Sequence, residues 1–286
     1  DSPWLAGGHN GLSNSENPLS PEPPYPRVKE LRSLMNQFNL QEVPIIMAGG
    51  VWNLDEWSDW IENPEIGKIA FQFGTRPLLT KESPIPEDWK KKLLTIKKGE
   101  VSLHRFSPTG FYSSAVRNNF LRELEERSER QTPFEKIRTN EYDEKIEIGP
   151  RGKPIYVKKE DKSRIEKWMD KGFLKSLKTP DNTLIWVTIQ KATQILKDQI
   201  NCMGCLSQCS FSNWSQGEKG NNGKKPDPRS FCIQKTLMEI SHGLASIEDA
   251  LMFAGHSVYR FARDPFYSNG YVPKVKELVD RIMKGM

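Results

Sequence analysis

The chain has 286 residues, 36% hydrophobic and 28% charged, with a formal net charge of +5. This is the makeup of a soluble globular protein with one large domain or two small ones. No apolar run approaches the roughly 18 residues of a membrane helix, and the mild charge lacks the basic stripe with interleaved aromatics of a nucleic-acid binder, so neither membrane nor nucleic acid is an expected partner.

The first recognisable unit is Trp4-Leu5-Ala6-Gly7-Gly8-His9-Asn10-Gly11, a glycine-rich loop opening without a strand before it. A histidine in such a loop is either a solvated surface group or a base, since an imidazole pKa near 6.5 leaves it neutral at pH 7. Residues 10–26 are rich in Ser, Asn and Pro and read as loop. A helix follows at 27–38, with Val28, Leu31, Leu34, Met35 and Phe38 on one face.

The stretch 43–77 organises the chain. It contains two short apolar strands, 43–47 and 68–73, with a helical interval at 53–61 in which Trp57 and Trp60 share a face. Such a unit predicts parallel strands with a helical crossover, buried on both faces. Each strand ends in glycine: Gly49 and Gly50 after the first, Gly74 followed by Thr75 after the second. Glycine at a strand's end lets backbone N–H groups approach a ligand, and a phosphate is the natural guest. Ordinary turns use the same residues, so glycine alone leaves both readings open.

Further on, helices are predicted over 86–94 and 114–130, the second with a densely charged face. Residues 131–180 read as an insertion holding a hairpin, 145–148 with 154–157, and a helix at 160–174. The four cysteines fall in a single stretch: Cys202, Cys205 and Cys209, with Cys232 further on. Clustered thiols favour a metal site in a reducing, cytoplasmic compartment over a disulfide framework. Thiolates suit either zinc or an iron–sulfur cluster. Helices at 231–242, 247–253 and 272–284 complete the chain. His104 and His242 join no constellation.

VPIIMAGGV and IAFQFGTRP resemble the last two barrel strands of the nitronate monooxygenase family of flavoproteins, and AGGH-x-G resembles the loop that carries its catalytic histidine. The resemblance implies an α/β fold in which the chain is the C-terminal part of a (β/α)8 TIM barrel, followed by a mainly helical, cysteine-containing region. It implies FMN, its phosphate held by Gly49, Gly50, Gly74 and Thr75 with Gly7 and Gly8 nearby. It implies His9 as the catalytic base toward nitronates or nitroalkanes, with O2 as co-substrate.

CMGCLSQC is also similar to the cysteine loop of the dienoyl-CoA reductase group, which binds a four-iron four-sulfur cluster beside FMN. That similarity implies Cys202, Cys205, Cys209 and Cys232 as ligands, with zinc as the alternative. It also raises a reductase using NAD(P)H on an unsaturated thioester as a second function. A non-catalytic scaffold around structural zinc is the third. The expected divisions are 1–81 for the barrel part, 82–185 for the charged segment and 186–286 for the cysteine region.

Overall fold

In a computed structural model describing residues 6–10, 12, 15–149, 151–206, 208–212 and 225–284, the elements of the first half, in chain order, are β1 (Gly8–His9), α1 (Pro24–Gln37), β2 (Ile45–Ala48), β3 (Ile69–Gln72), α2 (Glu87–Leu93), β4 (Val101–His104), β5 (Ser113–Val116) and α3 (Asn119–Glu129). There follow β6 (Gln131–Pro133), β7 (Glu144–Ile148), β8 (Lys153–Val157), α4 (Lys159–Asp170), β9 (Lys175–Lys178), β10 (Thr183–Val187), α5 (Ile189–Ile200), α6 (Ile233–Ser241) and α7 (Val275–Met283). The fold is mixed α/β. Among the described residues the strands form four small sheets, and none closes into a barrel. Trp4, Leu5 and Gly11 of the opening motif lie outside the described residues, as do Pro150 of the hairpin turn, Ser207 of the cysteine loop and much of the loop 216–228.

The chain divides into two compact units. One comprises residues 1–105, 111–118 and 239–286, the other 106–110 and 119–238. In the first, β2 and β3 pair in parallel from Ile45↔Ile69 to Ala48↔Gln72, as the glycine-tipped apolar runs predict. Their crossover is shorter than the expected helix at 53–61: only a 3-10 turn, Asp55–Trp57, forms. Beyond that interval the Asn63 carbonyl accepts from the N–H groups of Ile66 and Gly67, closing a further turn ahead of β3. Trp57 and Trp60 do pack together, edge to face at 5.2 Å.

Helix α1 sits on this pair through only part of the expected face, Val28 and Met35. Val28 and Arg32 are buried, while Leu31, Leu34 and Phe38 are exposed. The Arg32 guanidinium donates to the carbonyls of Gln41, Val43, Ile66 and Lys68, so one side chain satisfies the backbone at the entry of both strands.

The same unit holds an antiparallel sheet in the order β1-β5-β4. Strand β5 occupies residues expected to begin the helix at 114–130, which starts only at Asn119. The expected helix at 247–253 is likewise absent. The Asn118 side chain donates to the carbonyls of Ile247 and Ala250, taking acceptors a helix would use internally. Met252 then accepts from the Val116 N–H and Phe253 bridges to Ala115, extending the sheet edge. The core behind gathers Trp52, Leu79, Trp89, Leu93, Met252, Phe261 and Tyr267.

In the second unit the expected hairpin forms as β7 and β8, in register from Glu144↔Val157 to Ile148↔Lys153. Helix α4 buries Ile165 with Ile146, Ile155, Val157 and Trp186. A further antiparallel sheet, β6-β10-β9, lies in the same unit.

Candidate active site

The loop that ends β2 meets the chain before β1 in close contact. Gly49 has φ +91°, and a Cβ added to it would lie 2.8 Å from the Ala6 Cβ. A Cβ on Gly7 would lie 2.6 Å from the Ala254 carbonyl carbon. Both positions therefore require glycine: the first for its conformation and its space, the second for space alone. The Thr75 hydroxyl accepts from the Gly255 N–H at 3.0 Å and ties the β3 loop to the segment 254–256.

Between these loops lies a cleft of about 200 Å³. Gly7, His9, Gly49, Gly50, Gly74 and Thr75 all line it. Gly8 is set back in β1, where it packs toward the Phe253 ring. Six of the seven positions singled out in the sequence as catalytic or cofactor-binding thus share one cleft wall.

His9 is exposed on the cleft, and the protein packed against the other side of its ring lowers its pKa. The ring is a neutral base at pH 7. Its strand pairs with β5, His9 opposite Ser113, and on the other side of β5 His104 is opposite the same serine. His104 is buried, and burial together with the charge on His9 pushes its pKa down to about 4. His256 does not line the cleft, although its neighbours Gly255 and Ser257 do. Its Nε2 lies 3.1 Å from the Ser114 hydroxyl, and burial lowers its pKa.

Two residues of this region escaped the sequence reading. Arg76, adjacent to Gly74 and Thr75, is 2% exposed and reaches the cleft. It donates to the Trp52 carbonyl and to the Tyr267 hydroxyl, stands 3.6 Å from Asp264 and stacks 4.8 Å over the Trp52 ring. It packs behind the β3 loop and adds positive charge there, offset by Asp264. Its signal was present, the third residue of Gly-Thr-Arg. His104 is the second, and only strand pairing brings it near His9.

The cysteines lie in the other unit and are free thiols. Cys209 and Cys232 pack with Ile195, Phe211 and Leu206, while Cys205 is exposed. Burial raises the pKa of both packed thiols, and the nearby Cys202 and Cys205 add to it. The four are neighbours, yet among the described residues no group of three or more His, Cys, Asp or Glu stands as a ready metal site. The expected ligand set is not assembled, because the apolar cluster draws Cys209 and Cys232 inward while Cys205 faces solvent.

Glycine-walled loops at the ends of parallel strands thus face a histidine across one cleft of an α/β protein. A family model described as nitronate monooxygenase matches residues 4–207, and the chain belongs to that family. No curated protein matches it. Among solved structures it is similar to "Structure of FabK from Thermotoga maritima", with 12% identity, a TM-score of 0.43 and coverage of 99% of this chain and 52% of that one. The chain thus spans about half the length of that structure. Among the described residues no helix is long and apolar enough to cross a membrane.

Proposed function

We propose that this chain carries the phosphate-gripping loops and the proton-abstracting histidine of an FMN-dependent oxidoreductase acting on alkyl nitronates or nitroalkanes with O2. The observation behind this reading is that His9 and the glycine loops line the same cleft. The residues present suit FMN: Gly49, Gly50 and Gly74 line the cleft without a side chain, so backbone N–H groups there can approach a phosphate closely. Gly49, Gly50, Gly74 and Thr75 would hold that phosphate through backbone N–H groups and the Thr75 hydroxyl, with Gly7 and Gly8 bordering it. When bound, the flavin supplies the electron-transfer chemistry, while the protein supplies binding, orientation and electrostatics.

His9 removes the acidic proton from the carbon next to a nitro group. Burial on one side of its ring keeps it neutral before the reaction, and the opening to the cleft leaves the substrate side accessible. A nitronate that is already ionised needs no base. His9→Ala should therefore lower turnover of neutral nitroalkane by about 10² to 10⁴-fold, far more than turnover of the nitronate, while flavin absorbance is retained. Oxygen consumption with the two substrates measures this, and equal losses on both would remove the assignment. Flavin bleaching by NADH under nitrogen, without oxygen uptake on nitronate, would instead mark a reductase using NAD(P)H. A colourless protein with stoichiometric zinc would mark a scaffold.

For the cysteines the four-iron four-sulfur reading rests on their spacing in the sequence, with zinc as the alternative. Iron, sulfide and zinc analysis on the anaerobic protein decides between them.

A further inference from the structure

We infer that Ser113 and His104 form a positioning row behind His9 that selects which ring nitrogen of His9 carries its proton. This rests on the reading of His9 as the base. The row is a consequence of register: in the sheet β1-β5-β4, Ser113 is the direct partner of His9 on one side and of His104 on the other. Directly opposed residues of antiparallel strands project to the same face with Cβ atoms about 5 Å apart. The two imidazoles therefore flank one serine on one face, their Cβ atoms about 10 Å apart, a span that a hydroxyl between two rings can bridge.

The serine is suited to that task. It is 0% exposed, and its hydroxyl has no hydrogen-bond partner among the described residues, an unfavourable condition unless a rotation brings it to one. A hydroxyl offers one donor and two acceptor sites. Donating to His104, Ser113 keeps a lone pair to accept the N–H of His9. His104 must then be a neutral acceptor, and its burial holds it in that form. His9 is left with its N–H toward Ser113 and its basic nitrogen toward the cleft. After it takes a proton from substrate, the same contact steadies the imidazolium. No proton crosses Ser113, so Ser113 and His104 are positioning residues.

The test is the ring ¹⁵N spectrum of His9 in histidine-labelled protein at pH 7, for the wild type, Ser113→Ala and His104→Gln, with turnover of neutral nitroalkane and of nitronate on the same samples. The wild type should show one dominant tautomer of His9. Each variant should move its two nitrogens toward the averaged shifts of an ordinary imidazole and lower the nitroalkane-to-nitronate turnover ratio about tenfold. A merely structural role would lower both turnovers alike and leave the tautomer unchanged. His9 shifts identical in all three proteins overturn the row, whatever the activities do. Shifts that move while the turnover ratio holds support the row and remove His9 as the base.

Discussion

At the scale of single residues, the histidines differ in what surrounds them. His104 is buried with a pKa of about 4, well below the ordinary 6.5. An unfolded chain binds a proton there that the folded chain refuses, so the contribution to stability is complete above pH 6.5 and is lost as pH falls toward 4. The interval is worth about 3 kcal/mol, at 1.36 kcal/mol per pKa unit. Denaturant titrations of the wild type and His104→Gln across this window should show the wild type losing more stability on acidification; parallel curves would mean that His104 protonates freely in the folded state. The glycine loops and His9 were legible as sequence because their chemistry is local: a glycine pair after an apolar run announces itself. His104 was not, since its neighbour in space lies in a distant segment and the strand joining them, Ser113–Val116, is short and begins with two serines.

At the scale of elements, periodicity read the parallel pair and the hairpin well, because apolar runs bounded by turn residues carry their own boundaries. It misread part of the α1 interface. The pattern selected Val28, Leu31, Leu34, Met35 and Phe38, and Val28 and Met35 do pack on the strands, but Leu31, Leu34 and Phe38 are exposed while Arg32 is buried, because the carbonyls at the strand entries need a donor more than the sheet needs another leucine. Hydrophobic bookkeeping cannot see such a demand. Arg32→Met would keep the stem and strip the carbonyls of Gln41, Val43 and Ile66 of their donor, while that of Lys68 keeps the Ile45 N–H. Since each buried unsatisfied polar group costs about 1–3 kcal/mol, a loss of at least about 3 kcal/mol is expected in equilibrium unfolding; a shift under 1 kcal/mol would show that water replaces the guanidinium.

At the scale of the whole molecule, the family match ends at residue 207, while the unit bearing the cleft includes residues 239–286. That last segment supplies Met252, Val258, Phe261 and Tyr267 to the core containing Trp52, Leu79 and Trp89. Each buried side chain of this size stabilises by about 1.5–3 kcal/mol, so together they are comparable to a domain's whole net stability of about 5–15 kcal/mol. A chain ending at residue 238 should therefore lose the cleft's support and fail to retain flavin. The near-ultraviolet circular dichroism of Trp52 and Trp89 should collapse with it; a truncated protein with native spectra would show that this core closes without the segment.

The proposed base and the loops proposed to hold the phosphate are mounted on different sheets, His9 on the antiparallel β1-β5-β4 and the glycine tips on the parallel β2-β3. Variation can therefore act on the two separately. Substitutions along β4 and β5 can retune the proton chemistry, even toward another carbon acid, without disturbing the grip on a shared cofactor. Selection then has two dials where a site built on one strand would have a single one.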